Sequence, residues 1–168
     1  MSSAIIFIHG LWMNGKDMYL LRYRFKKIGY KTFQFKYNST KQTPVENAHL
    51  LSEYIDSVKH EKINFVCHSL GGIVLRHYLS LYSTNNIGNI IMLGTPNKTS
   101  AVARKIINLP LGKKLLGKSV ENGLTGILPK WNNNEKLGII AGRIPFASGM
   151  FFSIIKSPND GTVSVEET

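Results

Sequence analysis

Residues 65–72 read Phe65-Val66-Cys67-His68-Ser69-Leu70-Gly71-Gly72. The segment Lys62–Cys67 is β-like and apolar, and Ile73–Tyr82 has the spacing of a helix, so the turn between them is centred on Ser69. A serine on such a turn stands at the C-terminal edge of a sheet. The N–H of the next residue, Leu70, points to the same spot. The turn is strained and brings strand and helix close together, so small residues must flank the serine. Gly71 and Gly72 meet that need on one side, and Cys67 stands where the strict G-x-S-x-G pattern has glycine. The plainer alternative is an ordinary strand-to-helix turn with Ser69 as the helix cap.

Outward from this point the chain alternates strand and helix. Ala4–Ile8 is a continuous apolar run, as expected of a strand covered on both faces. Lys16–Ile28 reads as a helix with Met18, Leu21, Phe25 and Ile28 on one side, and Gly29 is its expected stop. Lys31–Lys36 alternates as a second strand, and Pro44 opens a second helix. Ile87–Leu93 and Leu137–Ala141 are further strands. This order predicts one α/β domain over 1–168, a mostly parallel sheet with helices on both faces in a three-layer αβα stack. The stretch 98–134 has no strand pattern and reads as a cap or flap excursion over one end of the sheet. Tyr19, Tyr23, Phe25, Phe33 and Phe35 fall at core periodicities and not as a base-stacking platform.

The 168 residues include 43% hydrophobic and 18% charged ones, which excludes a disordered chain. A single cysteine, Cys67, excludes an internal disulfide framework and a multi-cysteine zinc site; no metal is expected. That usage fits a reduced, cytoplasmic compartment. Lysine and arginine number 21 against 10 acids, a net charge of +11. The excess favours anionic partners, yet for nucleic acid it is the sole argument, and none is expected. The run Ile144–Ile155 contains Pro145, Ser148, Gly149 and Ser153 and is too short to span a membrane. The apolar N-terminus lacks a basic lead and a cleavage site, and reads as a strand and not as a signal peptide.

Two further segments bear on Ser69. The first strand ends in His9-Gly10-Leu11-Trp12. Glycine at position 10 admits close backbone approach, so the Leu11 N–H would join that of Leu70 in binding a developing oxyanion. His9 is expected to act through its loop only, with a structural imidazole. Downstream of the last strand, Asn159-Asp160-Gly161-Thr162-Val163 supplies a carboxylate in the order expected of an acid that follows a serine nucleophile. Glu135 is the reserve.

FIHGLW, VCHSLGG, LGTPN and NDGTV, in this order and spacing, resemble the α/β-hydrolase superfamily. More narrowly they are similar to its small-lipase branch, which includes bacterial triacylglycerol lipases and GPI inositol-deacylase-like proteins. The resemblance runs from Ile5 to Val165 and leaves the flap unmatched in detail. It implies a carboxylic-ester hydrolase of lipase or esterase type, working through an acyl-enzyme without cofactor. Position by position, it makes Ser69 the nucleophile, Asp160 the acid, and Leu11 and Leu70 the oxyanion donors. His9, Gly10, Cys67, His68, Gly71 and Gly72 support the elbow and loop. A thioesterase or acyltransferase using the same serine, or a non-catalytic binding protein on the same fold, are the alternatives.

The base departs from the family pattern. There the histidine lies beyond the acid, whereas no histidine follows His77 here. His68 adjoins the nucleophile, where the family commonly has a histidine that is not the base. His77 lies in the helix behind the elbow, and His49 and His60 are expected on a helix in another layer. The chain ends eight residues after Asp160, without a C-cap. The expectation is a chain cut short of its base, or a degenerate hydrolase, and in either case a slow catalyst. Finally, Ala101–Leu116 interleaves apolar side chains with Arg104, Lys105, Lys113 and Lys114, and Pro110 divides it into two short amphipathic pieces. Beside Ser69 it would receive an acyl chain and meet acidic headgroups. Peripheral contact with an anionic membrane is therefore an expectation, next to the alternative of a core-packed helix with a solvated face.

Overall fold

The computed structural model describes residues 3–82, 85–131, 135–143, 160 and 162–168. The run Ile144–Ile155, with Asn159 and Gly161 of the acid segment, lies outside them. Five parallel strands form one sheet: β1 Ala4–Ile8, β2 Lys31–Phe35, β3 Ile63–His68, β4 Ile87–Leu93 and β5 Leu137–Ile140. Their spatial order is β2-β1-β3-β4-β5. The chain first steps from β1 outward to β2, then returns past β1 to β3, pairing Ile8 with Phe35 on one side and with Cys67 on the other. Right-handed crossovers in opposite directions put helices on opposite faces. The order therefore reverses between β1 and β3, and a crevice opens at the carboxyl ends of those two strands.

Helix α1 (Tyr19–Lys27) covers one face, where Ile5, Phe7 and Val66 pack with Met18, Leu21 and Phe25. Helices α2 (Pro44–Ser57) and α3 (Leu70–Leu81) cover the other, over Ile6, Ile8, Phe65, Cys67 and Met92. The three-layer α/β stack expected from the sequence is present. Each large apolar side chain removed from water here contributes roughly 1.5–3 kcal/mol. Helix α2 starts as Pro44 predicts, behind Thr43. The Thr43 hydroxyl accepts from Glu46 N, and the Glu46 carboxylate accepts from Thr43 N.

Helix α1 differs from expectation. It begins at Tyr19, because the preceding N–H groups of Gly15 and Lys16 are taken by the side chains of Asp17 and Asn14 in turns. No residue of α1 is buried; Tyr19 and Tyr23 stack on each other in solvent and are not core residues. Their periodicity reflects an aromatic face turned outward.

The flap consists, among its described residues, of α4 (Ala101–Ile107), α5 (Gly112–Leu116) and a 3₁₀ turn at Gly117–Val120. Pro110 separates the two helices as the sequence predicts. Val102, Ala103, Ile106, Leu116 and Leu124 pack onto Leu70 and Ile73 at the start of α3, so the flap sits over the carboxyl edge of the sheet. Ser100 caps α4, and the Glu167 carboxylate accepts from Ala101 N at 2.6 Å. Trp12 Nε1 donates to Leu115 O at 3.0 Å, and Lys118 N to Thr40 O at 2.8 Å.

Candidate active site

β3 ends at His68 and α3 begins at Leu70, leaving Ser69 alone to reverse the chain. It does so at φ 49° and ψ −120°, a backbone that a side chain bearing a Cβ adopts only under strain. Three hydrogen bonds hold it there. Ser69 N donates to Leu93 O at 2.9 Å, and Ser69 O accepts from Gly72 N at 3.0 Å and from Thr95 Oγ1 at 3.1 Å. The hydroxyl makes no capping bond to α3. Ser69 is thus a strained turn whose side chain has no hydrogen-bond partner among the described residues, and not the helix cap of the plainer alternative.

The glycines around it are dictated by space. A Cβ on Gly71 would lie 2.5 Å from Ile8 O, and one on Gly72 would lie 2.3 Å from Thr95 Oγ1. Cys67 is fully buried, and desolvation pushes its thiol far above the ordinary value, so it packs and does not react. The β1 loop closes over the same spot. The position where Gly10 would carry a Cβ lies 3.2 Å from Ser69 Cβ and 3.0 Å from His68 Nδ1. Leu11 follows it, and the chain turns away at Trp12 with φ 59° and its N–H on Ser39 Oγ. Among the described residues, neither Leu11 N nor Leu70 N donates to a backbone carbonyl in a turn or loop.

His9 is buried and stacked on Tyr37 with ring centroids 4.3 Å apart. Its Nε2 accepts from Tyr37 N and its Nδ1–H faces Gly10 O at 2.9 Å, which fits the neutral ring. Desolvation lowers its pKa, in agreement. Its imidazole holds the loop.

Asp160 stands at the same edge. Its Oδ1 accepts from Thr162 N, Thr162 Oγ1 and Val163 N, and its Oδ2 lies 2.8 Å from where Gly94 would carry a Cβ. Ser69, His68, Asp160 and Leu11 line one cavity of about 150 Å³, closed on the flap side by Val102 and Ile106. Glu135 precedes β5 and so belongs to the opposite, amino edge of the parallel sheet.

Of the five histidines, His68 is the one on this cavity. Its Nδ1 is 3.8 Å from Asp17 Oδ2, and burial lowers its pKa against the pull of Asp17 and Asp160. His77 is turned away, its Nε2 at 2.6 Å from Asn122 O. His49 lies on α2, in the same layer as α3 and not a different one, with Nδ1 on Tyr82 Oη at 2.6 Å. His60 lies past the end of α2, against Phe33. Asp17 and Thr95 escaped the sequence reading. Thr95 has a signal, since LGTPN follows the strand next to the elbow. Asp17 has none, because its approach to His68 depends on the path of a loop. Among the described residues no group of acidic, histidine or cysteine side chains is placed to hold a metal ion.

Residues 2–99 match the family described as "Putative serine esterase (DUF676)". No curated protein matches the sequence significantly. Among solved structures, the chain is similar to the mature lipase BlEst2 of Bacillus licheniformis, with TM-score 0.74 and 20% identity over 98% of this chain and 78% of that one. Phospholipase PlaB of Legionella pneumophila aligns with TM-score 0.59 and 21% identity, over 74% of this chain and 31% of its own. Carboxylesterase CesB of Bacillus subtilis aligns with TM-score 0.57 and 12% identity, over 84% and 66%. These likenesses establish the α/β-hydrolase fold.

Proposed function

The chain belongs to the DUF676 serine esterase family, and from that membership we propose that it cleaves carboxylic esters through an acyl-enzyme on Ser69. The observation that carries this reading is the strained Ser69 turn, its hydroxyl free, beside the Gly10–Leu11 loop and above an apolar cavity. Ser69 Oγ attacks the ester carbonyl as its proton passes to solvent water. The carbonyl oxygen becomes an oxyanion that accepts from Leu11 N and Leu70 N; as it collapses, the ester C–O bond breaks and the alcohol leaves with a proton taken from water. Water then releases the acid. Asp160 takes the place of the acid that would orient a base imidazole.

His68 is the imidazole on the cavity, yet its Nδ1 is engaged with Asp17, and Ser69 has no capping or base partner among the described residues. A serine without a positioned base is a weak nucleophile. The 168-residue chain is therefore expected to turn over slowly, roughly 10³–10⁴ above water and about 2 × 10⁶ below a complete triad. This favours, as a second reading, a chain that binds esters and acylates without efficient turnover. A thioester in place of the ester would make the same acyl-serine a thioesterase intermediate, and an alcohol acceptor in place of water would make it an acyltransferase intermediate.

The substrate is proposed to be an ester whose acyl chain lies against Val102, Ile106 and Leu124. An apolar cavity of about 150 Å³ holds a benzene-sized group, which corresponds to about six carbons. Leu109, Leu111 and Leu115 project from the flap into solvent among Arg104, Lys105, Lys113 and Lys114. That combination supports peripheral contact with an anionic membrane. Among the described residues no helix is long and apolar enough to cross one. A series of p-nitrophenyl esters of rising chain length tests the reading. Hydrolysis that peaks near six carbons and vanishes in Ser69→Ala is expected, and hydrolysis unaffected by Ser69→Ala overturns it.

A further inference from the structure

Away from Ser69, a second cavity of about 420 Å³ opens between the start of α1 and the edge strand β2. Lys16, Arg22 and Lys36 bring three cations to it, and Asn14, Tyr19 and Gln34 complete its polar wall; no carboxylate lines it. Neither ion pair among the described residues involves any of these cations. On two of the residues that line it, the donor Arg22 Nε and the acceptor Gln34 Oε1 are buried and have no hydrogen-bond partner among the described residues. Leaving such atoms unpaired is unfavourable, more so when one is charged. Gln34 cannot rotate to relieve itself. Its Nε2 donates to Phe7 O and Phe35 O, both at 3.0 Å. Gly15, at φ 87°, presses on it so closely that a Cβ there would lie 2.4 Å from Gln34 Cδ.

A ligand that satisfies this wall needs anionic oxygens for Arg22, Lys16 and Lys36 and one O–H to donate to Gln34 Oε1. We propose that this cleft binds a phosphate group that keeps a hydroxyl, as inorganic phosphate and phosphate monoesters do. Near neutral pH inorganic phosphate keeps at least one O–H and a phosphate monoester, with a second pKa of about 6, keeps one in part, whereas sulfate carries no proton. Charge-assisted bonds to a planar guanidinium favour phosphate oxygens over chloride. The site goes beyond the ester chemistry and does not depend on it. It shares only the loop that leads from Leu11 to Lys16.

The test is ¹⁵N NMR of the full chain, reading the Gly15 amide and the Gln34 side-chain amide at pH 6.5. The titrants are sodium phosphate, sodium sulfate, and phosphatidylcholine vesicles with or without phosphatidic acid. Saturable shifts of both signals with phosphate, weaker by about tenfold or more in Arg22→Gln/Lys36→Gln, are expected. A response to phosphatidic acid vesicles and not to free phosphate would assign the same chemistry to a lipid headgroup. Lys36 is exposed, so Lys36→Gln alone keeps a folded variant in the test, and Ser69→Ala should bind as the native chain does. Equal response to sulfate, equal affinity in the Lys36 variant, or no shift with any titrant would overturn the proposal.

Discussion

Thr95 Oγ1 donates to the carbonyl oxygen of Ser69, and the same side chain fills the space that Gly72 leaves by lacking a Cβ. One residue of the β4 loop thus braces the strained turn from behind. Replacing it by valine keeps the volume but leaves the Ser69 carbonyl with the Gly72 N–H as its remaining partner. Thr95→Val is expected to lower stability by about 0.5–1.5 kcal/mol, read from denaturant midpoints. It should also slow acylation of Ser69, since the turn is freer to relax. Unchanged stability and acylation would mean that the brace is idle.

Gly10 carries past Ser69 the loop that we propose supplies an oxyanion donor. In Gly10→Ala the new Cβ meets His68 Nδ1 at 3.0 Å and Ser69 Cβ at 3.2 Å, which pushes the loop outward with Leu11 N. Losing one oxyanion donor costs on the order of 10²–10³ in kcat. Initial rates on a short-chain p-nitrophenyl ester should fall by about that factor while KM changes little.

Burial lowers the pKa of His9, His68 and His77 below the ordinary 6.5. The unfolded chain then holds more protons than the folded one through that window, so stability rises with pH across it. It is complete above about 6.5 and is lost as the pH falls through the lowered values. Tm measured between pH 8 and 5 should decline on the acid side. His9→Phe, which keeps the stack on Tyr37, should show a shallower decline than the native chain.

The flap lysines predict salt-dependent membrane contact. Each Lys near an anionic surface contributes about 1 kcal/mol, so Lys113→Gln/Lys114→Gln should weaken binding to vesicles containing phosphatidylserine by about tenfold to thirtyfold. Leu111→Ser removes the most exposed of the flap leucines and should weaken it at any salt concentration. Equal sedimentation with neutral and anionic vesicles would remove the membrane contact.

The fold was legible because its signals are local. Continuous apolar runs mark β1 and β3, Pro44 starts α2, and the Ser69 turn announces strand and helix together. Where the reading failed, the missing information was tertiary. Tyr19 and Tyr23 sit at spacings that suit a buried face, but the core over β1 is already filled by Met18, Leu21 and Phe25. The layer of His49 follows from the direction of the β2 to β3 crossover, which no periodicity reveals. Asp17 reaches His68 through a loop whose course is set by side chain to backbone bonds at Gly15 and Lys16. The cleft at Arg22 and Gln34 likewise joins residues from two elements that are unremarkable when read one at a time.

We propose Ser69 as a nucleophile with no positioned base among the described residues. A fluorophosphonate probe applied to the 168-residue chain, with and without added imidazole, followed by peptide mass spectrometry of the adduct, puts this to the test. A single adduct on Ser69 is expected, formed slowly, accelerated by imidazole and absent in Ser69→Ala. An adduct on another residue, or none at Ser69 even with imidazole, would contradict it.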